Sequence, residues 1–171
     1  DLTLSGTISN STGTLNITKV GTSTVTVSGS NSFSGTTIIS GGTLIAGNNV
    51  PSGSNGALGN AASAITLGDA ATTTNNYSPS FLIGGAFTVA RSITVANQGT
   101  SGVYSIGGNS SNTSVFSGTI TLNEPLTISQ TTGGTVQLSG TVTANSNKLT
   151  KAGAGTFQRT TATLTLTGDF E

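Results

Sequence analysis

The feature that most constrains this chain is the shortness of its alternating apolar segments. Leu2 and Leu4 flank Thr3, and the same spacing recurs at Leu15 and Ile17, Val25 and Val27, Ile65 and Leu67, Phe87 and Val89, and Ile93 and Val95. It continues at Ile120 and Leu122, Leu126 and Ile128, Val136 and Leu138, and Leu164 and Leu166. An apolar residue at every second position marks a strand that buries one face. Each segment ends within a few residues at Gly, Asn or Ser, as at Gly41-Gly42, Gly84-Gly85, Gly107-Gly108-Asn109 and Gly133-Gly134. Those residue types supply the backbone angles of tight turns. No window shows a helical apolar period, and the good helix formers Glu, Lys, Arg, Gln and Met are scarce or absent. The chain is expected to be all-β.

Many short strands suit a β-sandwich or a β-helix. A sandwich takes strands of about five or six residues and a core often anchored by Trp or Tyr. Here Trp is absent and Tyr occurs only at Tyr77 and Tyr104. The expected fold is therefore a right-handed parallel β-helix of short strands, one domain over residues 1–171, with a β-sandwich as the alternative. At about 20 residues per coil, the low end for solenoids, the length allows about eight coils. Internal echoes favour the solenoid. Leu4-Ser5-Gly6-Thr7-Ile8 returns as Leu138-Ser139-Gly140-Thr141-Val142, and Ile17-Thr18-Lys19-Val20-Gly21 as Leu149-Thr150-Lys151-Ala152-Gly153. Val25-Thr26-Val27-Ser28-Gly29 returns as Leu164-Thr165-Leu166-Thr167-Gly168. The offsets are 134, 132 and 139 residues, a drift that loop insertions between similar strands would produce. Repeat-like segments thus lie near 4–44 and 138–168. Stacked coils place Ile38, Leu44, Ile65, Leu67, Val89, Val95, Ile120, Leu122, Ile128 and Leu138 in one elongated core.

Composition narrows the chemistry. Thr, Gly and Ser fill 83 of 171 positions, and charged residues make up 6%, against about 25% in an ordinary domain. With neither His nor Cys there is no histidine base, thiolate nucleophile, zinc finger or disulfide. Five scattered cations make no basic stripe, which excludes nucleic acid as a partner. No apolar run approaches the roughly 18 residues of a membrane helix. The chain begins at Asp1 without a basic-then-apolar leader, as expected of a processed protein or a piece of a longer one.

Leu15-Asn16-Ile17-Thr18-Lys19-Val20-Gly21, then Val25 to Ile38 with Asn31-Ser32-Phe33-Ser34-Gly35 at its centre, then Gly41-Gly42-Thr43-Leu44, resembles the autotransporter-associated (passenger-associated) β-strand repeat of bacterial surface proteins. Leu149-Thr150-Lys151-Ala152-Gly153-Ala154-Gly155-Thr156 resembles the opening of a second copy, which Gln158-Arg159-Thr160-Thr161 interrupts. Gly56-Ala57-Leu58-Gly59 followed by Ile65-Thr66-Leu67 is similar to the segment that trails the repeat. The resemblance implies a right-handed parallel β-helix on an exported, often cell-surface, polypeptide, and no catalytic activity.

The acids are Asp1, Asp69, Glu124, Asp169 and Glu171, and only the last two are neighbours, at a chain end. Asp69 is expected in a turn, bonded to its own backbone. No Asp-rich loop offers the six to eight oxygens of a calcium site. Arg91 reads as a surface cation, and Lys19 and Lys151 as blunting an edge or corner. Phe33, Phe81, Phe87, Phe116, Phe157 and Phe170 read as core filling and not as a sugar platform. No catalytic, cofactor-binding or metal residue is assigned, and no cofactor is expected. The expected function is a non-catalytic structural protein of the bacterial exterior: a surface passenger, adhesin shaft or filament subunit. Its expected partner is itself, head to tail through terminal coils, with surface glycans as the alternative partner of a carbohydrate-binding adhesin module.

Overall fold

The computed structural model describes residues 1–99, 101–160 and 164–165. The chain winds through seven coils. Coil 1 holds β1 (Leu2–Leu4) and β2 (Ile17–Lys19), coil 2 holds β3 (Thr24–Val27) and β4 (Thr37–Ile39), and coil 3 holds β5 (Thr43–Ala46) and β6 (Ile65–Leu67). A helix, α1 (Ala70–Asn75), leads into coil 4, with β7 (Ser80–Ile83), β8 (Thr88–Val89) and β9 (Ile93–Val95). Coil 5 has β10 (Tyr104–Gly108), β11 (Thr113–Phe116) and β12 (Ile120–Leu122), and coil 6 has β13 (Leu126–Gln130), β14 (Thr135–Leu138) and β15 (Val142–Thr143). Coil 7 has β16 (Leu149–Ala152), β17 (Thr156–Arg159) and β18 (Leu164–Thr165).

Like strands stack into three walls. The first runs β1-β3-β5-β7-β10-β13-β16, the second β8-β11-β14-β17, and the third β2-β4-β6-β9-β12-β15-β18. Every ladder between these strands is parallel. That excludes the sandwich, whose sheets are antiparallel. The seven coils fall one short of the number expected from length. The reason is coil 3: register partners Leu44 and Phe81 lie 37 residues apart, whereas Ile106 and Ile128 lie 22 apart.

Three-residue strands suffice because each inward side chain lies over its counterpart one coil away. On the third wall Ile65, Ile93, Ile120 and Val142 form one continuous register row, each at most 1% exposed. Strand spacing of about 4.8 Å keeps such a row in van der Waals contact. Across the core, Phe81 of the first wall meets Phe116 of the second edge-on, with centroids 6.2 Å apart. Nine of the ten expected core residues are buried. Ile38 is the exception. It stands outward and half-buried between Thr18 and Thr66, because Thr37 and Ile39 take the two inward positions of β4.

The helix was not expected. Its capping is local, which is why no apolar period announces it. Asp69 Oδ1 accepts from the backbone N–H groups of Ala71 (2.9 Å) and Thr72 (3.2 Å), while Thr72 Oγ1 accepts from the Asp69 N–H at 3.0 Å. This reciprocal box starts the helix, and Asn76 in the left-handed region ends it.

Candidate functional site

Among the described residues, the acidic groups nearest to forming a site gather at the corner between the third and first walls. Tyr104, 3% exposed, donates its hydroxyl to the Gln98 carbonyl at 2.6 Å. Burial first, then the carboxylates of Glu124 and Asp69, push its pKa up to about 12. Asp69 is nevertheless spent: besides capping α1, its Oδ2 accepts from Ser40 Oγ at 2.7 Å. That leaves Glu124, which lines a cleft of about 250 Å³ with Val103, Pro125, Leu126, Thr127 and Thr150. Among the described residues this cleft, a little under the size range of ligand pockets, holds one carboxylate, where a glycoside hydrolase uses two. No cluster of three or more potential metal-ligating side chains exists among the described residues. Asp169, Glu171 and Phe170 lie outside the described residues.

Arg91 is not a surface residue. It is 1% exposed, and burial pushes its pKa below the ordinary value. Nε donates to the Ser63 carbonyl (2.9 Å), and Nη1 to the Leu58 carbonyl (2.8 Å) and Thr37 Oγ1 (3.3 Å). The guanidinium therefore ties the long 47–64 segment of coil 3 to the third wall. A planar fork of five donors meets carbonyls that approach from several directions. Its only sequence signal was isolation: a cation in a long neutral stretch.

The two lysines do not blunt the corners they occupy: each folds its ammonium back onto carbonyls of the turn. Lys19, 6% exposed, curls back so that Nζ donates to the carbonyls of Val20 (2.8 Å) and Gly21 (3.1 Å) in its own corner. A third bond, to the Gly41 carbonyl at 2.9 Å, reaches the next coil. Lys151 repeats the local part, donating to Ala152 (2.9 Å) and Gly153 (2.8 Å). In both corners the glycine two residues on is left-handed, with φ of 70° at Gly21 and 74° at Gly153. Burial lowers the pKa of Lys19, and three carbonyls compensate its charge.

Two buried amides have bonding roles that the sequence did not announce. Where the first three coils have no second-wall strand, Asn31 substitutes for a ladder. Its Oδ1 accepts from the Ile8 N–H at 2.7 Å and its Nδ2 donates to the Ala57 carbonyl at 2.6 Å, joining coils 1, 2 and 3. Gln130, also fully buried, donates Nε2 to the Ser110 carbonyl at 2.8 Å, while its Oε1 has no partner. Side chains at Gly108, Gly134 and Gly155 would collide with it, so three glycines on successive coils make its space. Phe33, Phe81 and Phe116 are buried, and Phe87 and Phe157 half-buried against the core, so these rings form no exposed platform.

Residues 17–46 match the passenger-associated-transport-repeat. No curated protein and no solved structure matches the chain. The matched repeat runs from β2 to the end of β5, so it contains the Lys19 corner, the Asn31 bridge and the Gly41-Gly42 turn that receives Lys19. Its conspicuous polar residues are thus the ones that tie neighbouring coils together. The passenger-associated-transport-repeat and the β-solenoid fit an autotransporter passenger domain, and the repeat implies a secreted or surface location.

Proposed function

We propose that the chain is a non-catalytic structural segment of a bacterial surface passenger, a rod that spaces or displays other parts and assembles through its exposed strand edges. The observation that carries this reading is the use of the polar side chains. Asp69, Arg91, Lys19, Lys151 and Asn31 spend their hydrogen bonds within the solenoid, most of them on backbone groups and the rest on the side chains of Ser40, Thr37 and Ser63. The outward face of the third wall is rich in hydroxyls, as in the register row Thr66, Thr94, Thr121 and Thr143. A parallel ladder running the length of the rod resists stretching and proteolysis, since each coil is held by its neighbours.

The test has two parts. Antibody raised against the 171-residue chain is applied to intact cells of the organism that encodes it, and protease is added to the same cells. Surface labelling, with a fragment of this size surviving protease, supports the reading. Label that appears only after lysis overturns the location. Turnover of a polysaccharide by the purified chain, abolished by Glu124→Gln, overturns the non-catalytic assignment.

A further inference from the structure

The corners that carry the chain from the third wall back to the first are short at residues 20–23 and 40–42, and long at residues 68–79, which hold α1. Insertions into a solenoid collect on one face, and that face is often the binding face. This insert is fixed from both sides. On one, Thr72 Oγ1 donates to the Ser40 carbonyl at 2.6 Å and the Ser80 N–H bonds the Gly42 carbonyl at 2.9 Å. On the other, Asn76 Oδ1 accepts from the Ser101 N–H at 2.8 Å and Ser78 Oγ from the Val103 N–H at 3.1 Å. Where the insert meets the two short corners, Thr22, Gly42, Thr43, Asn75 and Tyr77 line a cleft of about 310 Å³, completed by Asn76 and Ser78. That is at the small end of the range for ligand pockets. The walls come from corners that join one coil to the next, so neither terminal strand edge forms part of the cleft.

The lining is one ring among neutral polar groups. Six of its seven residues are Thr, Ser, Asn or Gly, and none is charged. The Lys19 ammonium lies behind Gly42, bonded to three carbonyls. Among the described residues Thr22 and Thr43 make no side-chain hydrogen bond, and Asn75 uses only its Nδ2, on the Ala71 carbonyl at 2.9 Å. Two hydroxyls and an amide oxygen are thus left for a ligand. Tyr77 supplies the ring. It is half-buried and, unlike Phe87 and Phe157, is not packed against the apolar core. A Cβ at Gly41 would lie 2.5 Å from its Cγ and Cδ2, so the ring rests on the bare backbone of Gly41.

We propose that this cleft binds one uncharged pyranose unit of a glycan, with C–H groups of the sugar against the Tyr77 ring and its hydroxyls on Thr22, Thr43 and Asn75. A pyranose pairs a patch of C–H groups with a rim of hydroxyls, the same division that the lining makes between one ring and several neutral polar groups. A phosphate or carboxylate finds no cationic side chain in the lining, and a purely apolar ligand would leave the hydroxyls and the amide oxygen unpaired. The site is independent of the structural reading above, which its failure would leave standing.

The isotope-labelled chain is titrated, by amide NMR, with the methyl glycosides of glucose, galactose, mannose and N-acetylglucosamine, and with glucuronate as the charged control. The expected result is a saturable shift of the amides of Thr22, Gly42, Thr43 and residues 75–78 with at least one uncharged glycoside, and weaker binding of glucuronate. Tyr77→Ala should weaken that binding about tenfold, and Tyr77→Phe, which keeps the ring, far less. Thr43→Val keeps the shape of an outward position on β5 and should cost about fivefold, the worth of one neutral hydrogen bond. Melting temperatures show that the variants are folded, and Thr43→Val decides if Tyr77→Ala loosens the insert. No saturable shift with any of the four glycosides, shifts confined to other residues, or native affinity in Thr43→Val overturns the site. Tighter binding of glucuronate overturns the uncharged class.

Discussion

Replacing Ile120 with Asp tests the stacking directly. Ile120 is 1% exposed and lies in register between Ile93 and Val142. Removing its apolar contacts costs about 2–5 kcal/mol, the range for truncating a buried aliphatic side chain. The new carboxyl must also stay protonated inside the core. Holding it neutral at pH 7 against an ordinary value near 3.9 costs about 4 kcal/mol, from three units at 1.36 each. The sum, about 6 kcal/mol or more, rivals the whole stability of a typical domain. The sign of the pH dependence follows from a raised folded-state pKa. The charge penalty is absent below about pH 4 and grows as pH rises, so Ile120→Asp should approach Ile120→Asn in acid and fall below it at neutrality. Thr121→Asp, one residue on and facing outward, should change stability by only about 0.5 kcal/mol. Urea unfolding followed by circular dichroism at pH 4 and pH 7 measures all three. Unfolding of Ile120→Asp like the native chain, or equal losses from both aspartates, would refute the stacked core.

Arg91→Lys should not rescue the loss seen in Arg91→Met, because one ammonium cannot replace the fork that reaches Leu58 and Ser63. Each orphaned buried carbonyl costs about 1–3 kcal/mol, and hydrogen exchange should show residues 47–64 opening first. Asp69→Ala removes the α1 cap and should cost about 1 kcal/mol by thermal melting. Tyr104 should ionise near pH 12 by ultraviolet absorbance. Its folded pKa is raised, so the stability it contributes is present below pH 10 and lost between about 10 and 12, a loss that Tyr104→Phe should abolish. Gly107→Ala should unfold the chain around coil 5, since the added carbon would strike the Ser129 carbonyl, and near-native unfolding would mean these coils pack less closely than described.

The walls and most of the core were legible because alternation in a three-residue strand has only one solution. Ile65-Thr66-Leu67 and Ile120-Thr121-Leu122 read directly as inward, outward, inward. Thr37-Ile38-Ile39 misled because two adjacent aliphatics leave the register open, and a buried threonine becomes acceptable only when Arg91, distant in sequence, gives its hydroxyl a partner. The helix was invisible for a related reason. Six residues hold less than two turns, so its signal lay in Asp69 and Thr72, which composition alone treats as turn residues. Buried polar groups such as Arg91, Asn31 and Gln130 were the least legible, since their burial depends on which coils stack above and below.

The sequence echoes have a different physical meaning from the one their drifting offsets suggest. Ile17-Thr18-Lys19-Val20-Gly21 lies on the third wall, but its echo Leu149-Thr150-Lys151-Ala152-Gly153 lies on the first. Leu4 ends a first-wall strand and its echo Leu138 a second-wall strand. What the echoes share is a short alternating strand that runs into a corner with a glycine, left-handed at Gly21 and Gly153. In a parallel solenoid every wall ends at a corner, so similar corner sequences can serve different walls, and nothing requires copies to be spaced by whole coils. Offsets of 134 and 132 residues therefore need no insertions.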